Sequence, residues 1–408
     1  MKFFNVKSEA EAYMIIDQLA KAYKIDNETI KTIDACHRTL AQDIVSKADV
    51  PAFNRSTVDG YAVLTGDTHG ATSAIPSLLE TKGEIEMGQV VTEAVGSLET
   101  MYVPTGGMLP DNADGVVMIE DAEVLDETTI AIYRAITAGD NVIHRGDDIQ
   151  IGTVALEKGR TITAIDIGVL SALGIDEVQV IAPMKVTILS TGDEIVAIDQ
   201  QASLGQIYDV NGNVLDWMCR DLGMEIVHRD IVKDDYDALY SAVLEGTKTS
   251  DLILLSGGSS VGTRDYTYDV INNLEDSEMF LQGVAVKPGK PTILGRGNGK
   301  IIFGLPGHPV SSIMIFKLFV ESFVRQVTGQ EKENRPFEGV LTESVHGAPG
   351  RAMYHMVNLK QQEDHLDVIP NYGRSGMISL LSTSVGTIRI DANAEGIEAG
   401  TVVKGSYL

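Results

Sequence analysis

Between residues 185 and 327, short apolar segments alternate with amphipathic segments of helical period, and no other feature of the sequence constrains the fold as much. Such alternation is typical of a parallel sheet with helices on both faces. In sheets of this kind, ligands bind beyond the carboxyl ends of the strands. The predicted strands are Lys185–Ser190, Glu225–Val232, Asp251–Leu255 and Ile301–Phe303, and the predicted helices lie near Asn213–Leu222, Tyr236–Glu245, Tyr266–Asn273 and Pro309–Val327.

The segments on either side of this region have other patterns. Ser8 and Glu11 form a capping-box pattern before an apolar helical face, which predicts an amphipathic opening helix. Residues 51–145 contain short β-rich runs separated by Gly, Pro and Asp, and these predict a β-rich lobe. Thr163–Leu173 has helical spacing, and we expect this helix to pack against the opening helix. After residue 330, short strands alternate with glycine turns, which indicates a small β-barrel or sandwich.

Charge and cysteine content narrow the classes of function. The chain has 408 residues, which allows about two to four domains. Its 32 Lys and Arg against 58 Asp and Glu leave a net charge of −26, which argues against general nucleic-acid binding and requires local cations for any anionic ligand. Cys36 and Cys219 have no metal-ligand spacing and indicate a reducing compartment. The sequence contains neither a signal-peptide pattern nor a stretch of roughly 18 apolar residues, so we expect a cytoplasmic protein without membrane contact.

Polar residues follow several of the predicted strands. Asp193 and Glu194 lie in the segment Thr191–Glu194 that follows the first strand, where one can bind a metal ion and the other can cap a turn. The third strand runs into the loop Ser256–Gly262, whose backbone N–H groups can cradle an oxyanion, although the loop lacks the Lys-Ser/Thr of a P-loop. Lys287 and Lys290 add two cations in a stiff, proline-flanked turn. Each of these features also occurs in ordinary turns, so an anion site and a structural role both stay open.

Further polar turns occur elsewhere in the chain. Leu305–Pro309 precedes an apolar helix, and a helix start of this kind favours an anion but also occurs without one. In the predicted β-rich lobe, Pro51–Val63 places polar side chains around a turn, and Thr105–Gly107 and Gly146–Asp148 are similar turns. Periodicity alone does not place these turns near the end of the α/β sheet.

Taken together and in this order, the motifs resemble those of the molybdopterin molybdenumtransferase family, which is the bacterial MoeA family and is similar to the E domain of gephyrin. The resemblance covers nearly the whole chain. Its motifs are Pro51–Val63, Thr105–Pro110 with Asp114–Val117, Gly146–Ile149, Ser190–Glu194, Gly205–Asp209, Ser256–Gly258 through Asp265–Tyr266, Lys287–Pro291 and Leu305–Gly307.

The resemblance implies a multi-domain α/β plus β fold with four domains. Residues 1–50 and 146–180 would form an elongated, discontinuous linker domain that contains helices, and residues 51–145 would form the β-rich lobe. Residues 181–329 would form a doubly wound, mostly parallel α/β domain of the molybdopterin-binding type. Residues 330–408 would form a small C-terminal β-barrel.

The resemblance also implies an activity. The family takes adenylylated molybdopterin and molybdate, the substrate oxyanion, and yields molybdenum cofactor and AMP. It works as a homodimer whose cleft lies between the α/β domain of one subunit and the β-rich lobe of the other, and a contact with the molybdopterin adenylyltransferase is also expected. Carried over by motif, the catalytic residues would be Asp59, Thr105, Asp148, Glu194, Asp234 and Asp265, and the substrate-binding residues would be Ser256, Gly257, Gly258, Ser259, Lys287, Lys290 and Pro306.

Breaking a phosphoanhydride builds charge on oxygen atoms, which calls for a divalent cation and fixed donors. Oxygen ligands without a Cys/His cluster favour Mg²⁺, and Glu194, Asp234 and Asp265 are its expected ligands. Molybdate and tungstate are nearly identical in size and charge, so both fit this expectation.

Three positions depart from the family pattern: His308 replaces Asn, Ser259 replaces Val, and Ile143 replaces Arg, which removes a cation. Two other functions compete with the transferase. A molybdopterin adenylyltransferase has a fold like the α/β domain but does not need the lobe that carries Asp59 and Thr105. A non-catalytic pterin-binding scaffold does not need the acidic residues that this chain retains.

Overall fold

The computed structural model describes residues 6–257, 266–330 and 336–408. Its N-terminal part consists of short strands and two longer helices. In chain order these elements are α1 (Glu9–Ala22), β1 (Asn27–Lys31), β2 (Ile44–Val45), β3 (Arg55–Ser56), β4 (Gly60–Val63), β5 (Ser77–Glu84), β6 (Glu99–Val103), β7 (Gly115–Met118), β8 (Ala122–Val124), β9 (Thr129–Ile132), β10 (Val142–Ile143), β11 (Val154–Leu156), α2 (Ala164–Ala172) and β12 (Glu177–Ile181).

The opening helix forms as the capping pattern predicts. The Ser8 hydroxyl accepts a hydrogen bond from the Glu11 N–H at 3.2 Å, and the Glu11 carboxylate accepts one from the Ser8 N–H at 2.7 Å. The buried face of α1 joins the core of the α/β part, where Tyr13 meets the ring of Phe319 edge-on at 5.2 Å.

Helix α2 lies in a separate apolar cluster with Leu40, Ile162 and Val178. The prediction that α1 and α2 pack together is therefore wrong. Helical spacing defines which face of a helix is apolar, but it does not identify the surface that covers that face.

The β-rich segment contains a six-stranded sheet in the order β7-β4-β6-β5-β9-β8. Apolar side chains cover both of its faces: Val117 and Ile132 belong to one cluster, and Val103 and Val116 belong to the other. This sheet confirms the prediction of a β-rich segment after residue 51.

The central part consists of longer strands and helices. In chain order these are β13 (Lys185–Thr191), β14 (Ile195–Val196), β15 (Ile207–Tyr208), α3 (Val210–Asp221), β16 (Glu225–Val232), α4 (Tyr236–Thr249), β17 (Leu252–Ser256), α5 (Tyr266–Asn272), β18 (Glu278–Gln282), β19 (Val286–Lys287), β20 (Ile293–Gly297), β21 (Lys300–Leu305), α6 (Pro309–Ile315) and α7 (Glu321–Thr328). A π-helical segment, Phe316–Val320, joins α6 to α7.

Six of these strands form a sheet in the order β16-β13-β17-β21-β20-β18. The first four are parallel, and β20 and β18 run antiparallel to their neighbours. Successive residues of one strand enter different cores, since Ile302 packs on one face of the sheet and Phe303 on the other. The predicted doubly wound, mostly parallel sheet is confirmed.

The C-terminal part is a closed barrel. Its elements are β22 (Pro336–Leu341), β23 (Val345–His346), β24 (Ala352–Gln361), β25 (Leu366–Pro370), α8 (Ile378–Ser382), β26 (Gly386–Ile390), β27 (Gly396–Ile397) and β28 (Val402–Tyr407). Strands β24, β25, β22, β28 and β26 pair in that order, and β26 pairs back onto β24. The predicted barrel is confirmed. None of the helices in the described ranges is long and apolar enough to cross a membrane.

Candidate functional site

A cleft of about 1820 Å³ opens at the carboxyl ends of the parallel strands. One side is formed by the residues that follow β13, β17 and β21, and the other side is formed by β24 and the loop 371–378 of the barrel. The basic turn, defined as Lys287–Lys290, lies between these two sides. The cleft therefore lies at the edge of the sheet where α/β folds bind ligands.

The structure brings many of the predicted site residues into this cleft. Those that line it are Glu194, Asp234, Ser256, Gly257, Lys287, Lys290 and Pro306. Gly258, Ser259 and Asp265 lie outside the described residues. Asp59, Thr105 and Asp148 are not among the described residues that line the cleft.

Asp59 and Thr105 lie together on the β-rich segment. The Asp59 carboxylate accepts hydrogen bonds from the backbone N–H of Thr105 at 2.7 Å and from its hydroxyl at 3.1 Å. Asp148 is exposed, and its N–H donates to the carbonyl of Val50 at 3.0 Å, directly before the Pro51 motif. Ile143, which replaces an arginine of the family pattern, pairs with Arg55 across β10 and β3. A different cation, Arg55, therefore lies on the neighbouring strand, opposite the position of the lost arginine.

The first turn of α3 ties together the ends of three parallel strands. Asp209 caps this helix and accepts hydrogen bonds from the Gly212 N–H at 2.8 Å and from the Ser190 hydroxyl at 2.9 Å. The Asn211 side chain donates from Nδ2 to Ser256 Oγ and to the Gly307 carbonyl, both at 2.8 Å. Sequence reasoning missed Asn211, although the motif Gly205–Asp209 ends only two residues before it.

Three buried side-chain oxygens at these strand ends have no hydrogen-bond partner among the described residues. They are Thr191 Oγ1, Asp209 Oδ2 and Asn211 Oδ1. An unmet buried polar atom costs about 1–3 kcal/mol. Because Thr191 and Asn211 line the cleft, polar hydrogens of a bound ligand can satisfy them.

The basic turn is held in place by its backbone. The Val284 N–H donates to the Lys290 carbonyl at 3.0 Å, and the Thr292 hydroxyl donates to the Gly289 carbonyl at 2.7 Å. Gly289 has φ +124°, and a Cβ there would lie 2.4 Å from Ile315 Cδ1, so only glycine fits. Both lysines are exposed, and neither forms an ion pair within residues 6–257, 266–330 and 336–408. Their ammonium groups are free to bind an anion.

The barrel contributes cations that sequence reasoning missed. Arg351 and Arg374 line the cleft, and no described residue forms an ion pair with either. Burial lowers the pKa of the half-buried His355, and the charge of Lys287 acts in the same direction, which favours the neutral imidazole. The sequence did contain a signal for these two arginines, since each directly follows a glycine in a chain that is strongly acidic.

His308 links the two sides of the cleft. Its Nδ1 lies 2.9 Å from the Ser375 hydroxyl, and the Val310 N–H donates to the Ser375 carbonyl at 3.1 Å. The residue that replaces the family's Asn thus keeps a hydrogen bond, and that bond holds the barrel loop against the start of α6.

Two of the three expected metal ligands, Glu194 and Asp234, line the cleft, and the third lies outside the described residues. In the part of the chain that the structure describes, no three His, Cys, Asp or Glu side chains form a metal-binding group. Mg²⁺ usually keeps several waters and takes one or two carboxylates together with substrate phosphates. The two carboxylates therefore fit Mg²⁺ if a phosphate completes its coordination.

Three family profiles match the chain in consecutive order. They are the MoeA N-terminal region (domain I and II) over residues 8–174, the "Probable molybdopterin binding domain" over residues 187–326, and the MoeA C-terminal region (domain IV) over residues 338–406. A molybdopterin molybdenumtransferase of Haemophilus influenzae is 30% identical over 331 residues, which cover 81% of this chain and 80% of that protein. This chain belongs to the MoeA family.

Other MoeA-type relatives agree. A molybdopterin molybdenumtransferase of Staphylococcus aureus is 28% identical over 377 residues, covering 92% of this chain and 90% of that protein. The crystal structure of a molybdopterin biosynthesis MoeA protein from Pyrococcus horikoshii has 32% sequence identity and a TM-score of 0.86, with 99% of each chain covered. The resemblance seen in the sequence is confirmed. In this MoeA chain, the central and C-terminal matched regions carry the two sides of the cleft.

Proposed function

We propose that this chain is a molybdopterin molybdenumtransferase, which inserts molybdenum from molybdate into adenylylated molybdopterin and releases AMP. The observation that carries the proposal is one cleft that combines two carboxylates, Glu194 and Asp234, with the free cations of the basic turn. The names of its relatives support the same activity. We also propose a cytoplasmic location and a contact with the adenylyltransferase that supplies the substrate.

The residues of the cleft suit the cleavage of a phosphoanhydride. Lys287 and Lys290 would neutralise phosphoryl oxygens, on which negative charge grows as the bond breaks. Gly257 has φ +105°, and a Cβ there would lie 2.4 Å from the Thr191 carbonyl, so only glycine fits at this end of the loop. Glu194 and Asp234 would hold Mg²⁺, which offsets phosphate charge when bound. None of these roles requires a nucleophile on the protein.

The activity is tested by AMP release. The purified chain is incubated with adenylylated molybdopterin, Mg²⁺ and either molybdate or tungstate. We expect AMP release that depends on the oxyanion. Tight substrate binding without AMP release would favour the non-catalytic scaffold, and pyrophosphate release from ATP and molybdopterin would favour the adenylyltransferase.

We further propose a homodimer with a shared site. This would bring Asp59, Thr105 and Asp148, which do not line their own chain's cleft among the described residues, to the cleft of a second copy. The outer surface of α2 supports self-association, since Ile165 is exposed there and the only charged residue of this helix, Asp166, is buried. Two chains of charge −26 repel each other less where they meet through uncharged surfaces.

Mixed dimers test the shared site. A dimer of one Asp59→Asn subunit and one Glu194→Gln subunit has one intact cleft if the site is shared, so its activity should be about half that of the wild type. The matched control pairs a wild-type subunit with a subunit that carries both substitutions, and it should be inactive because each cleft then lacks one residue. If the control is active and the first mixture is not, the site lies within one chain.

A further inference from the structure

Large apolar side chains are exposed inside the cleft, on the barrel side. Tyr372 is 58% exposed, Met377 49% and Ile378 37%, and all three line the cleft. Single exposed apolar residues are common, but three that lie together on the wall of a cleft mark a ligand surface. We call this surface, together with His355, the barrel wall.

The barrel wall is a preformed surface. The His355 ring meets the Tyr372 ring edge-on, with 5.2 Å between centroids and an interplanar angle of 86°, and the Tyr372 hydroxyl donates to the Ser344 carbonyl at 3.5 Å. The Asn371 N–H donates to the Met356 carbonyl at 2.8 Å. An aromatic ring that is already positioned loses little conformational entropy when a flat ligand stacks on it.

Cations that form no ion pair with any described residue adjoin this apolar surface. Arg374 is two residues from Tyr372, and Lys287 pairs through its backbone with Met353, two residues before His355. A flat aromatic surface beside unpaired positive charge matches the two parts of a nucleotide, which are a neutral heteroaromatic base and a phosphate. An inorganic anion would use the cations but not the exposed ring.

We propose that the barrel wall binds the purine base of a nucleotide whose phosphate lies over the basic turn. This inference rests on the proposed function, in which the nucleotide is the AMP part of adenylylated molybdopterin. The strand ends beside α3, where oxygens of Thr191 and Asn211 have no hydrogen-bond partner among the described residues, are then left for the pterin at the other end of the same substrate. Tyr372 is a specificity-determining residue for the leaving nucleotide.

Binding of AMP to the full chain tests the proposal without turnover. Isothermal titration compares AMP with ribose 5-phosphate, which has the phosphate and sugar but no base. Tyr372→Ala should weaken AMP binding about tenfold, the size of one lost base-stacking contact, and leave ribose 5-phosphate unchanged. Tyr372→Phe should bind AMP within about twofold of the wild type, because it keeps the ring. The matched control is Trp217→Ala, which removes an aromatic ring that is 73% exposed and does not line the cleft.

Three results would each overturn the proposal. The first is a wild-type chain that binds AMP no more tightly than ribose 5-phosphate. The second is a folded Tyr372→Ala chain with unchanged AMP affinity, or with an equal loss for both ligands. The third is a Tyr372→Ala chain that loses affinity for free 6-hydroxymethylpterin but not for AMP, which would assign the wall to the pterin. If AMP binding depends on Tyr372 but no AMP is released from adenylylated molybdopterin, the proposed function fails and the base site stands.

Discussion

The Asn211 carboxamide is the contact whose removal most directly tests how the cleft is held together. Asn211→Asp keeps the shape of the side chain but replaces the Nδ2 donor by a carboxylate oxygen. The Ser256 hydroxyl can turn and donate to that oxygen, whereas the Gly307 carbonyl, now 2.8 Å from an acceptor, cannot. The hydrogen bond with Ser256 is therefore kept, whereas the contact with Gly307 becomes a repulsion between two oxygen atoms.

The size of the effect follows from burial. Asn211 is buried, so the unmet Gly307 carbonyl costs about 1–3 kcal/mol, and burying the new charge adds to this. Burial raises the pKa of the introduced carboxyl above its usual value. The protonated form can donate to Gly307, so the variant should approach wild-type stability at low pH and lose stability as the pH rises through that raised pKa.

Urea unfolding at about pH 5 and about pH 8 measures the stability, and titration with inorganic phosphate measures the state of the cleft. For Asn211→Asp we expect a lower urea midpoint and weaker phosphate binding at the higher pH. The reason is that the segments at Ser256 and Gly307, which Asn211 holds together in the wild type, then separate. Asn213→Asp is the matched control: it adds the same charge to the same helical turn, but among the described residues Asn213 donates only to the Asp209 carbonyl. It should keep phosphate affinity. Equal midpoints and phosphate affinities for the wild type and Asn211→Asp at high pH would refute the argument.

Three further predictions concern the charges of the cleft. Lys290→Ala should weaken inorganic phosphate binding about tenfold, since a charge-assisted contact contributes about 1.5–3 kcal/mol; unchanged affinity in calorimetry would make the basic turn structural. Asp234→Asn should reduce AMP release about a hundredfold and shift the melting temperature by no more than about 2 °C, and a large shift with activity preserved would return this residue to a structural role. His355 has a lowered pKa, so the unfolded chain binds more protons than the folded chain below about pH 6.5, and stability should fall as the pH drops through that range. The His355→Gln variant should lose less stability than the wild type on acidification. Curves of unfolding free energy against pH that run parallel for the two proteins would contradict this.

The local features of this fold were predictable because they depend on neighbours in the chain. The Ser8 and Glu11 pattern specifies where α1 begins, and the apolar runs specify the four parallel strands within one or two residues of their observed bounds. The approximate course of the β-rich segment and of the barrel follows from the same short-range patterns. The domain boundaries at residues 50, 145, 180 and 329 stay a prediction.

The candidate site was predictable to the extent that its residues lie in motifs. Glu194, the Ser256 loop and Pro306 follow parallel strands of the sheet, whose carboxyl ends meet at one edge. The basic turn was recognised from its motif and not from a strand of this sheet. The contribution of the barrel was not predictable in this way. Arg351 and Arg374 lie in glycine turns with no periodic signal, and they reach the cleft because β19 pairs with β24.

The sequence by itself determined the opening helix, the four parallel strands with the helices between them, and the identity of the family, since capping, periodicity and motif order are properties of short segments. Only the tertiary structure decided which surfaces meet: that α1 packs on the α/β core and not on α2, that Asn211 joins two loops, and that the barrel closes one side of the cleft. The physical reason is that an apolar face or a free cation is a local property, whereas its partner is selected by shape and distance across the folded chain.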